Sequence, residues 1–439
     1  MPAAESIANA TALITTMYDA AIVASDPEAA VERHLRRDAD TLTLNGESWP
    51  VNGRVVVVGA GKAAVAMSRA VERLCGDLID VGLVITKDGH ASAPLPSRIQ
   101  VVEAGHPIPD ERGAGATDRI LAALNDLTAD DLVIALISGG GSALLELPKP
   151  GISLSDMASV TDLLLRAGAP IQDLNTVRRP LSQVKGGGLL HAAGDAPVLS
   201  LILSDVLGND PHVIASGPTV PSPTTARDAL EVLQSYGVLK DVPASVQALV
   251  ERDDEPLATA GAVTTGSYAI VADNKTAIDA AVAAALGAGR DASVIWRDVE
   301  GEASVLGTRW VLACQKVDAA FDVLIGGGEA TVTVRGEGVG GRNTEFALAA
   351  AIDLASAPDP GWVVASLATD GQDGPTGAAG AIADAATVRR ATDAGIDPVQ
   401  TLAENDSIRV FKAAGGLVSP GPTGTNVNDL YFAVSVSGR

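Results

Sequence analysis

The sequence predicts an α/β protein with two domains. Apolar runs of strand length alternate with Ala- and Leu-rich stretches of helical length along almost the whole chain. Several apolar runs end in glycine-rich turns that lead into a helical stretch, which favours parallel strands joined by crossover helices. With 439 residues, 47% of them hydrophobic, the chain is long enough to bury the cores of two or three domains.

The first half of the chain is expected to form a parallel sheet covered by helices. Apolar residues at helical spacing predict one or two helices over residues 8–38. The strands that follow are expected at 55–58, 81–86, 100–103, 132–137 and 198–204, and the helices at 63–74, 112–124, 153–167, 186–193 and 225–236. The run at 55–58 is apolar throughout, which is typical of a strand buried on both faces.

A Pro-rich stretch near residue 217 interrupts this pattern, and a second α/β section begins at residue 267. Its strands are expected at 267–272, 293–296, 322–325, 331–334, 362–368 and 429–436, and its helices at 276–288, 303–319 and 344–356. The boundary is expected between residues 240 and 266. We therefore divide the chain into an N-terminal domain, 1–250, and a C-terminal domain, 251–439.

Composition excludes several classes of function. The formal net charge of −23 argues against nucleic-acid binding, so an anionic substrate needs a local patch of Lys or Arg. Only 8 of the 31 basic residues are lysine, which fits a halophilic source and a GC-rich genome equally well. No stretch of transmembrane length and no leader sequence are expected, which predicts a cytoplasmic protein without a membrane partner. Cys75 and Cys314 are expected to be buried thiols, and no His–Cys cluster suggests zinc.

Two glycine-rich turns are the strongest functional signals. They are Gly59-Ala-Gly-Lys62 and Ser138-Gly-Gly-Gly-Ser142. Glycine lets the backbone approach a ligand closely, and successive N–H groups can cradle a phosphate. The second turn therefore predicts a phosphate-binding loop made of Ser138, Gly139, Gly140, Gly141 and Ser142. In the first turn, Lys62 either faces the same ligand or lies in solvent. Neither turn is a Walker A motif, and the chain has no Gly-x-Ser-x-Gly elbow.

A cationic segment at 175–188 offers further anion ligands. It carries Arg178, Arg179 and Lys185, followed by Gly186 and Gly187. Three cations before a glycine turn suit a multiply charged anion, which makes Lys185, Gly186 and Gly187 candidate cofactor-binding residues. A solvated helix with surface charges would show the same pattern.

Polar residues follow other predicted strands of the first domain. Asp205 and Asp210 come after the strand at 198–204, and ligands of doubly wound sheets bind at the carboxyl ends of strands. They are candidates for a general base and a magnesium site, or for a capped turn. In His106-Pro-Ile-Pro-Asp-Glu111, either His106 contacts a ligand or Asp110 caps the next helix.

The second domain repeats this chemistry. Gly326-Gly-Gly-Glu329 follows one strand, and Arg342, preceded by two glycines, can present its planar fork to a carboxylate or phosphate. Asp370 and Asn426 lie in glycine-containing loops that suit either a nucleotide or an Asx turn. Their occurrence at successive strand ends favours one shared site.

Together these segments resemble the class II glycerate kinase family, whose C-terminal part is the MOFRL domain. The resemblance is carried by VVVVGAGKAA (55–64), GHPIPD (105–110), ISGGGSALL (137–145), LNTVRRPLSQVKGGGL (174–189), LSDVLGNDPHVIASGPTVP (203–221), GGGEATVTV (326–334), GGRNTEFAL (340–348), ATDGQDGPT (368–376) and GPTGTNVNDLY (421–431). These segments span nearly the whole chain.

The resemblance implies that ATP phosphorylates D-glycerate at its 2-hydroxyl, with a divalent cation such as Mg²⁺, giving 2-phosphoglycerate and ADP. It implies a Rossmann-like N-terminal domain, a smaller MOFRL-type C-terminal domain and an active site in the cleft between them. Lys62, Asp205 and Arg342 are the residues it places at the chemistry. The residues themselves do not distinguish 2- from 3-phosphoglycerate, and a homodimer is one alternative for the assembly.

Two other classes of function stay open at this point. Some members of the family have been labelled hydroxypyruvate reductases, which would use NAD(P)H. Gly59-Ala-Gly-Lys-Ala-Ala does not complete the Gly-x-Gly-x-x-Gly fingerprint of dinucleotide-binding proteins, which disfavours that label. The other alternative is a nucleotide-binding protein without catalytic activity.

Overall fold

The computed structural model describes residues 2–252, 266–318, 320–358 and 361–436, with side chains from residue 6 onward. It contains two compact units: the parallel-sheet unit, Pro27–Val271, and the mixed-sheet unit, Met1–Asp26 with Ala272–Arg439. The predicted division into 1–250 and 251–439 differs from these units at both ends. The N-terminal helix belongs to the mixed-sheet unit, and the parallel-sheet unit continues past residue 250 into a further strand.

The elements up to the last strand of the first sheet are, in chain order, α1 (Pro2–Ala24), α2 (Pro27–His34), β1 (Leu35–Asp38), β2 (Thr41–Leu44), β3 (Glu47–Pro50), β4 (Val55–Ala60), α3 (Ala64–Cys75), β5 (Ile79–Lys87), β6 (Gln100–Ala104), α4 (Glu111–Leu124), β7 (Leu132–Ile137), α5 (Gly141–Leu144), α6 (Leu154–Arg166), α7 (Ile171–Leu181), α8 (Gly188–Ala192), β8 (Val198–Leu203), α9 (Ala226–Ser235), α10 (Ala244–Val250) and β9 (Gly266–Ala272).

The parallel-sheet unit is built on six strands in the order β6-β5-β4-β7-β8-β9. The pairs β4–β5, β4–β7, β5–β6 and β7–β8 are parallel, and β4, β7 and β8 are buried along their whole length. This is the 3-2-1-4-5-6 order of Rossmann-like sheets, so the predicted parallel sheet is confirmed. The strand order reverses between β4 and β7. Ligands of such sheets bind beyond the carboxyl ends of the strands at that point.

A small antiparallel sheet precedes the main one and was not predicted. The strands β1, β2 and β3 pair in sequence, at the end of the stretch expected to be helical over 8–38. Each has only four residues, and β3 has no fully buried residue. Strands of four residues are too short for a reliable period-two signal, even where one of them alternates as β2 does, which explains the error.

The remaining elements are α11 (Asn274–Gly287), β10 (Ala292–Glu302), α12 (Ala303–Lys316), β11 (Val323–Thr331), α13 (Arg342–Ser356), β12 (Trp362–Ala368), β13 (Gly380–Asp384), α14 (Thr387–Asp393), α15 (Pro398–Ala403), α16 (Ser407–Ala414), β14 (Leu417–Val418) and β15 (Asp429–Ser435).

The mixed-sheet unit carries six strands in the order β10-β11-β15-β12-β13-β14. Only β10–β11 is parallel among the described pairs; β15 runs antiparallel to both β11 and β12. The strand expected at 322–325 continues to Thr331 as one strand, β11, because Gly326–Gly328 extend it instead of turning, and the separate strand expected at 331–334 is wrong because only Thr331 of it is in a strand. A Cβ at Gly326 would lie 3.0 Å from the Trp310 ring, and one at Gly328 would lie 2.1 Å from the Val299 carbonyl. These glycines therefore admit close neighbours inside the sheet.

The N-terminal helix α1 explains why the chain's start belongs to the mixed-sheet unit. It packs against α11, β12 and β15, and the Tyr18 hydroxyl donates to the Ala368 carbonyl over 2.8 Å. The expectation that no stretch reaches transmembrane length is wrong here. The 19 residues Ser6–Ala24 have a mean hydropathy of 1.3 and are long and apolar enough to cross a membrane by length and composition. Ile14 and Met17 of this stretch are buried in the unit.

Candidate functional site

The two glycine-rich turns lie side by side at the point where the strand order of the parallel sheet reverses. The Lys62 N–H donates to the Gly139 carbonyl over 2.9 Å, and the Ser138 N–H donates to the Ala60 carbonyl over 3.1 Å. The Ser138 hydroxyl accepts from the Ala63 N–H at 3.1 Å. Neighbouring parallel strands β4 and β7 bring their carboxyl ends together, and these bonds join the turns into one surface.

The second turn requires glycine because other groups approach it closely. A Cβ at Gly139 would lie 2.2 Å from Asp205 Oδ2, so the Asp205 carboxylate lies against the turn. Gly140 has a φ of +88° and packs against the His106 ring, whose Nε2 would lie 3.1 Å from a Cβ there. The turn thus gathers residues from the ends of β4, β6, β7 and β8. The structure brings Lys62, Asp205 and the glycine turn together.

Several polar groups at this turn have no partner in the described chain. The N–H groups of Gly139 and Gly140 make no hydrogen bond there, and the Lys62 ammonium has neither a hydrogen bond nor an ion pair. Gly139 is buried, and a buried N–H without a partner is costly. Two backbone donors and one side-chain cation around the same turn are what a phosphate needs.

Lys185, predicted to bind the cofactor, instead contacts other residues of the protein. Its side chain is fully buried, and Nζ lies 2.6 Å from Glu146 Oε2 and donates to the Ser142 carbonyl over 2.8 Å. Burial lowers the pKa of Lys185 to about 8, against the opposing charge of Glu146. Arg178 also donates to the Ser142 carbonyl, over 3.3 Å. Lys185 therefore holds the glycine turn from behind, which disagrees with a direct phosphate contact.

The glycines after Lys185 are also engaged with the protein. The Gly186 N–H donates to the Ser216 carbonyl over 3.0 Å, and the Gly187 N–H donates to the Gly217 carbonyl over 2.7 Å. Both are buried with positive φ angles. Their donors are therefore not offered to a phosphate, and this part of the cofactor-binding prediction needs correction.

A chain of hydrogen-bonded polar side chains supports Ser142 from a strained segment, Ala215–Ser216. The Ser142 and Ser216 hydroxyls are 3.0 Å apart, and Ser216 donates to Asn175 Oδ1 over 2.9 Å. Ala215 and Ser216 both have positive φ angles, of 50° and 64°. Positive φ at consecutive non-glycine residues costs free energy and is concentrated at functional sites. Only the neighbouring Gly-Pro in the sequence hinted at this turn.

The acidic residues after β8 separate into two roles. Asp205 faces the glycine turn, whereas Asp210 is exposed and its Oδ1 accepts the His212 N–H at 2.9 Å. Among the residues with described positions, no group of three His, Cys, Asp or Glu side chains could hold a metal ion. Mg²⁺ is usually held by one or two carboxylates together with substrate phosphates. Asp205 fits that pattern, and Asp210 stabilises a turn.

In the mixed-sheet unit, Arg342 begins α13 between two carboxylates. Its Nη1 donates to Glu329 Oε1 over 2.5 Å and its Nη2 to Asp429 Oδ1 over 3.1 Å, while Nε lies 2.7 Å from Asp429 Oδ2. Arginine has five N–H donors, so with two in hydrogen bonds and Nε in the ion pair, two remain. Glu329 lies on β11 and Asp429 opens β15, and the antiparallel pairing of these strands sets Asp429 opposite Gly328.

Asp429 is the buried centre of this cluster. Burial raises its pKa to about 6, although Arg342 and a hydrogen bond from Asn343 oppose the shift. Asn343 Nδ2 donates to Asp429 Oδ1 over 3.0 Å, and Asn428 Nδ2 donates to Glu329 Oε2 over 3.1 Å. The orientation of Arg342 is therefore fixed by residues from three separate segments. Sequence reasoning identified the arginine and missed its two carboxylate partners.

The predicted nucleotide ligands of this unit form Asx turns. Asp370 Oδ1 accepts the Gln372 N–H at 2.9 Å, and Asn426 Oδ1 accepts the Asn428 N–H at 3.3 Å. Asp373 is buried and accepts the N–H groups of Asn343 and Thr344, each over 2.8 Å, at the start of α13. These contacts support the loops around Arg342. Nucleotide binding by Asp370 and Asn426 stays a prediction, as does the cleft between the domains.

The fold and the site define a class: an α/β protein whose parallel sheet carries a glycine-rich turn with unbonded N–H groups at the point where the strand order reverses. Residues 13–251 match a domain of unknown function (DUF4147), and residues 322–429 match the MOFRL family. The chain belongs to the glycerate 2-kinase family that contains the MOFRL domain.

Three similar proteins illustrate this membership. The chain is 40% identical to glycerate 2-kinase of Pyrococcus horikoshii, over 95% of its own length and 96% of that protein. It is 44% identical, over 95% of its length and 93% of the relative, to an Agrobacterium vitis protein with the provisional name hydroxypyruvate reductase. The crystal structure of glycerate kinase from Thermotoga maritima matches it with a TM-score of 0.86 at 37% identity, over 97% of this chain and 99% of that one.

Proposed function

We propose that this protein is a glycerate 2-kinase, which transfers the γ-phosphoryl group of ATP to the 2-hydroxyl of D-glycerate and releases 2-phosphoglycerate and ADP. The observation that carries the proposal is the pairing of unbonded N–H groups at Gly139 and Gly140 with the unpaired Lys62 ammonium. Phosphoryl transfer depends mainly on positioning and on stabilising charge, and fixed donors of this kind supply both.

In this proposal each group at the glycine turn has a separate task. The turn binds ATP phosphates through its N–H groups, while Ser138 and Ser142 set its shape. Lys62 stabilises the charge on the phosphoryl group in transit. Asp205, held against Gly139, orients the 2-hydroxyl and accepts its proton as the oxygen attacks phosphorus. Lys185 and Arg178 act as positioning residues because both bond the Ser142 carbonyl.

Arg342 is proposed to bind the carboxylate of D-glycerate. Its guanidinium is already held by Glu329 and Asp429, and its two remaining donors match the two oxygens of a carboxylate. Because Glu329 and Asp429 already fix the Arg342 guanidinium, binding of the substrate does not cost the conformational entropy of ordering that side chain.

A divalent cation fits this site if it arrives with the nucleotide. Asp205 would hold it together with ATP phosphate oxygens, and when bound it would neutralise phosphate charge. This replaces the earlier assignment of Asp210, whose side chain bonds the backbone of His212. We also propose a cytoplasmic location. The net charge of −23 supports the further proposal that the protein has no nucleic-acid partner.

One set of assays tests the proposal against its alternatives. A glycerate 2-kinase consumes ATP only when D-glycerate and Mg²⁺ are present, and NMR of the product shows phosphate on C2. Oxidation of NADH by hydroxypyruvate without ATP would establish the reductase instead. Binding of ATP without turnover of any glycerate isomer would leave a nucleotide-binding protein.

A further inference from the structure

Four basic side chains gather at one edge of the parallel sheet in an otherwise acidic chain. We call Lys62, Lys87, His90 and His106 the basic cluster. Lys62 follows β4, Lys87 ends β5, His90 lies three residues later, and His106 follows β6. Three adjacent strands thus deliver positive or ionisable groups to the same edge, although the net charge of the chain is −23.

Among the described residues the two lysines of the cluster have no ion-pair partner, and the nearby charge of Glu103 acts on His90 against the lowering of its pKa by burial. Across the described ranges of the chain, neither lysine ammonium makes an ion pair, and the His106 ring makes no hydrogen bond. The nearby carboxylates are engaged elsewhere: Asp88 pairs with Arg112, and Glu103 accepts the N–H groups of Gly89 and Ala91. Two ammonium groups at one edge of the sheet, Lys62 and Lys87, with two ionisable histidines beside them, indicate a place for an anion.

His106 lies closest to the glycine turn. Its ring packs on Gly140, beside the Lys62 side chain, whose Cγ would lie 3.6 Å from the same Gly140 Cβ. The pKa of His106 is lowered by burial first, and then by the charges of Lys62, Lys87 and His90. Burial and the neighbouring cations thus disfavour the charged form of the ring, which an anion bound beside it would favour.

His106 is not required for the neighbouring helix cap. Asp110 accepts the Gly113 N–H at 3.0 Å and the Gly105 N–H at 3.0 Å, which fixes the start of α4 without the histidine. The capping interpretation of this segment is therefore met by Asp110, and contact of His106 with a ligand stays a prediction. The ring remains available for a ligand.

We propose that His106 is a further binding residue for the phosphate held at the glycine turn, donating as an imidazolium beside Lys62 and the Gly139 and Gly140 N–H groups. The proton comes from solvent as the phosphate binds, so binding takes up a proton. The identification of this phosphate as part of a nucleotide rests on the proposed glycerate kinase function. The anion site itself does not.

The test follows the ring resonances of the histidines in the full-length protein, with His106→Gln identifying the His106 signal. Addition of ADP without metal is expected to raise the pKa of His106 by about one unit or more, because an opposite charge favours the charged form. The rise is expected to vanish in Lys62→Met. In kinetics, His106→Gln is expected to raise the KM for ATP about tenfold, the usual scale of one charge-assisted bond. His191→Gln, at an exposed position of α8, is the matched control and is expected to leave it unchanged.

The outcomes separate this inference from the proposed function. A His106 signal that ADP does not move, in an enzyme that phosphorylates D-glycerate, overturns the inference and leaves the function standing. A signal that moves in a Lys62-dependent way, in a protein without kinase activity, supports the anion site and contradicts the function. An unchanged KM for ATP in His106→Gln also overturns the inference.

Discussion

The two units of this protein prepare their key cations in opposite ways. In the parallel-sheet unit, the Lys62 ammonium has no partner among the described residues and lies beside unbonded N–H groups. In the mixed-sheet unit, Arg342 is held by Glu329 and Asp429 and keeps only two donors for a ligand. An unpaired cation such as Lys62 suits the stabilisation of negative charge that develops on the phosphoryl group during transfer. A paired cation suits a group that must present a fixed geometry to a stable carboxylate.

The largest effect is expected at Lys62. Lys62→Ala removes the unpaired charge from the glycine turn and should lower kcat about 10²–10³-fold, the usual cost of one transition-state donor. Steady-state kinetics with ATP and D-glycerate measure it. Lys240→Ala, at an exposed lysine of the same unit, is the control. Near-normal turnover by Lys62→Ala would remove the contrast between the two cations.

Gly139→Ala tests the closeness of Asp205 to the turn. The new Cβ would lie 2.2 Å from Asp205 Oδ2, so the carboxylate must move and kcat should fall about a hundredfold, as for a misplacement of about 1 Å. Gly115→Ala on α4, where nothing lies within 4 Å, is the control and should keep full activity. Equal kcat values for the two variants would exclude Asp205 from the chemistry.

Arg342→Lys tests whether the Arg342 guanidinium, fixed by Glu329 and Asp429, binds the carboxylate of D-glycerate. Lysine cannot bond two carboxylates and a substrate in the same plane, so the KM for D-glycerate should rise roughly ten- to a hundredfold, the scale of one or two charged hydrogen bonds. The KM for ATP should change little. Arg309→Lys, over the Trp296 ring in the same unit, serves as a control. An unchanged glycerate KM would mean that Arg342 is structural.

The smallest effect is expected from pH. Asp429 has a pKa of about 6 in the folded protein, so its hold on Arg342 should weaken as pH falls through 6, and kcat/KM for D-glycerate should fall with it. The stability effect has the opposite sign. A carboxyl whose folded pKa is raised contributes stability at low pH, and this is lost as pH rises through 6. Asp429→Asn should flatten the dependence on pH of both kcat/KM and stability. If kcat/KM of this variant depends on pH as in the unsubstituted protein, Asp429 does not control the position of Arg342 through its ionisation.

Sequence analysis succeeded where a local pattern determines the structure. The all-apolar runs of β4 and β7 predicted a buried parallel sheet, and the glycines after them predicted tight turns between strand and helix. The sequence alone did not show which charged side chains are buried by partners from distant segments. Lys185 looked like a phosphate ligand, but Glu146 and the Ser142 carbonyl engage it from another segment. Glycines inside β11 looked like a turn because their need for close neighbours is invisible in one sequence.

The same limit applies to Arg342. The two glycines before the arginine suggested an exposed fork, yet its orientation depends on strands β11 and β15, which lie far apart in the sequence. No local pattern reveals that pairing. The sequence therefore singled out Lys62, Asp205 and Arg342 as candidates, whose catalytic roles stay predictions, whereas the residues that contact them were found only in the structure.

The central claim is that the unbonded N–H groups of Gly139 and Gly140 bind nucleotide phosphates. The most direct measurement is NMR of the glycine-labelled protein with and without Mg-ADP. The amide resonances of Gly139 and Gly140 should shift and exchange more slowly with solvent, while those of Gly186 and Gly187, already bonded to carbonyls, should stay in place. Movement of Gly186 and Gly187 with Gly139 and Gly140 unchanged would contradict the account.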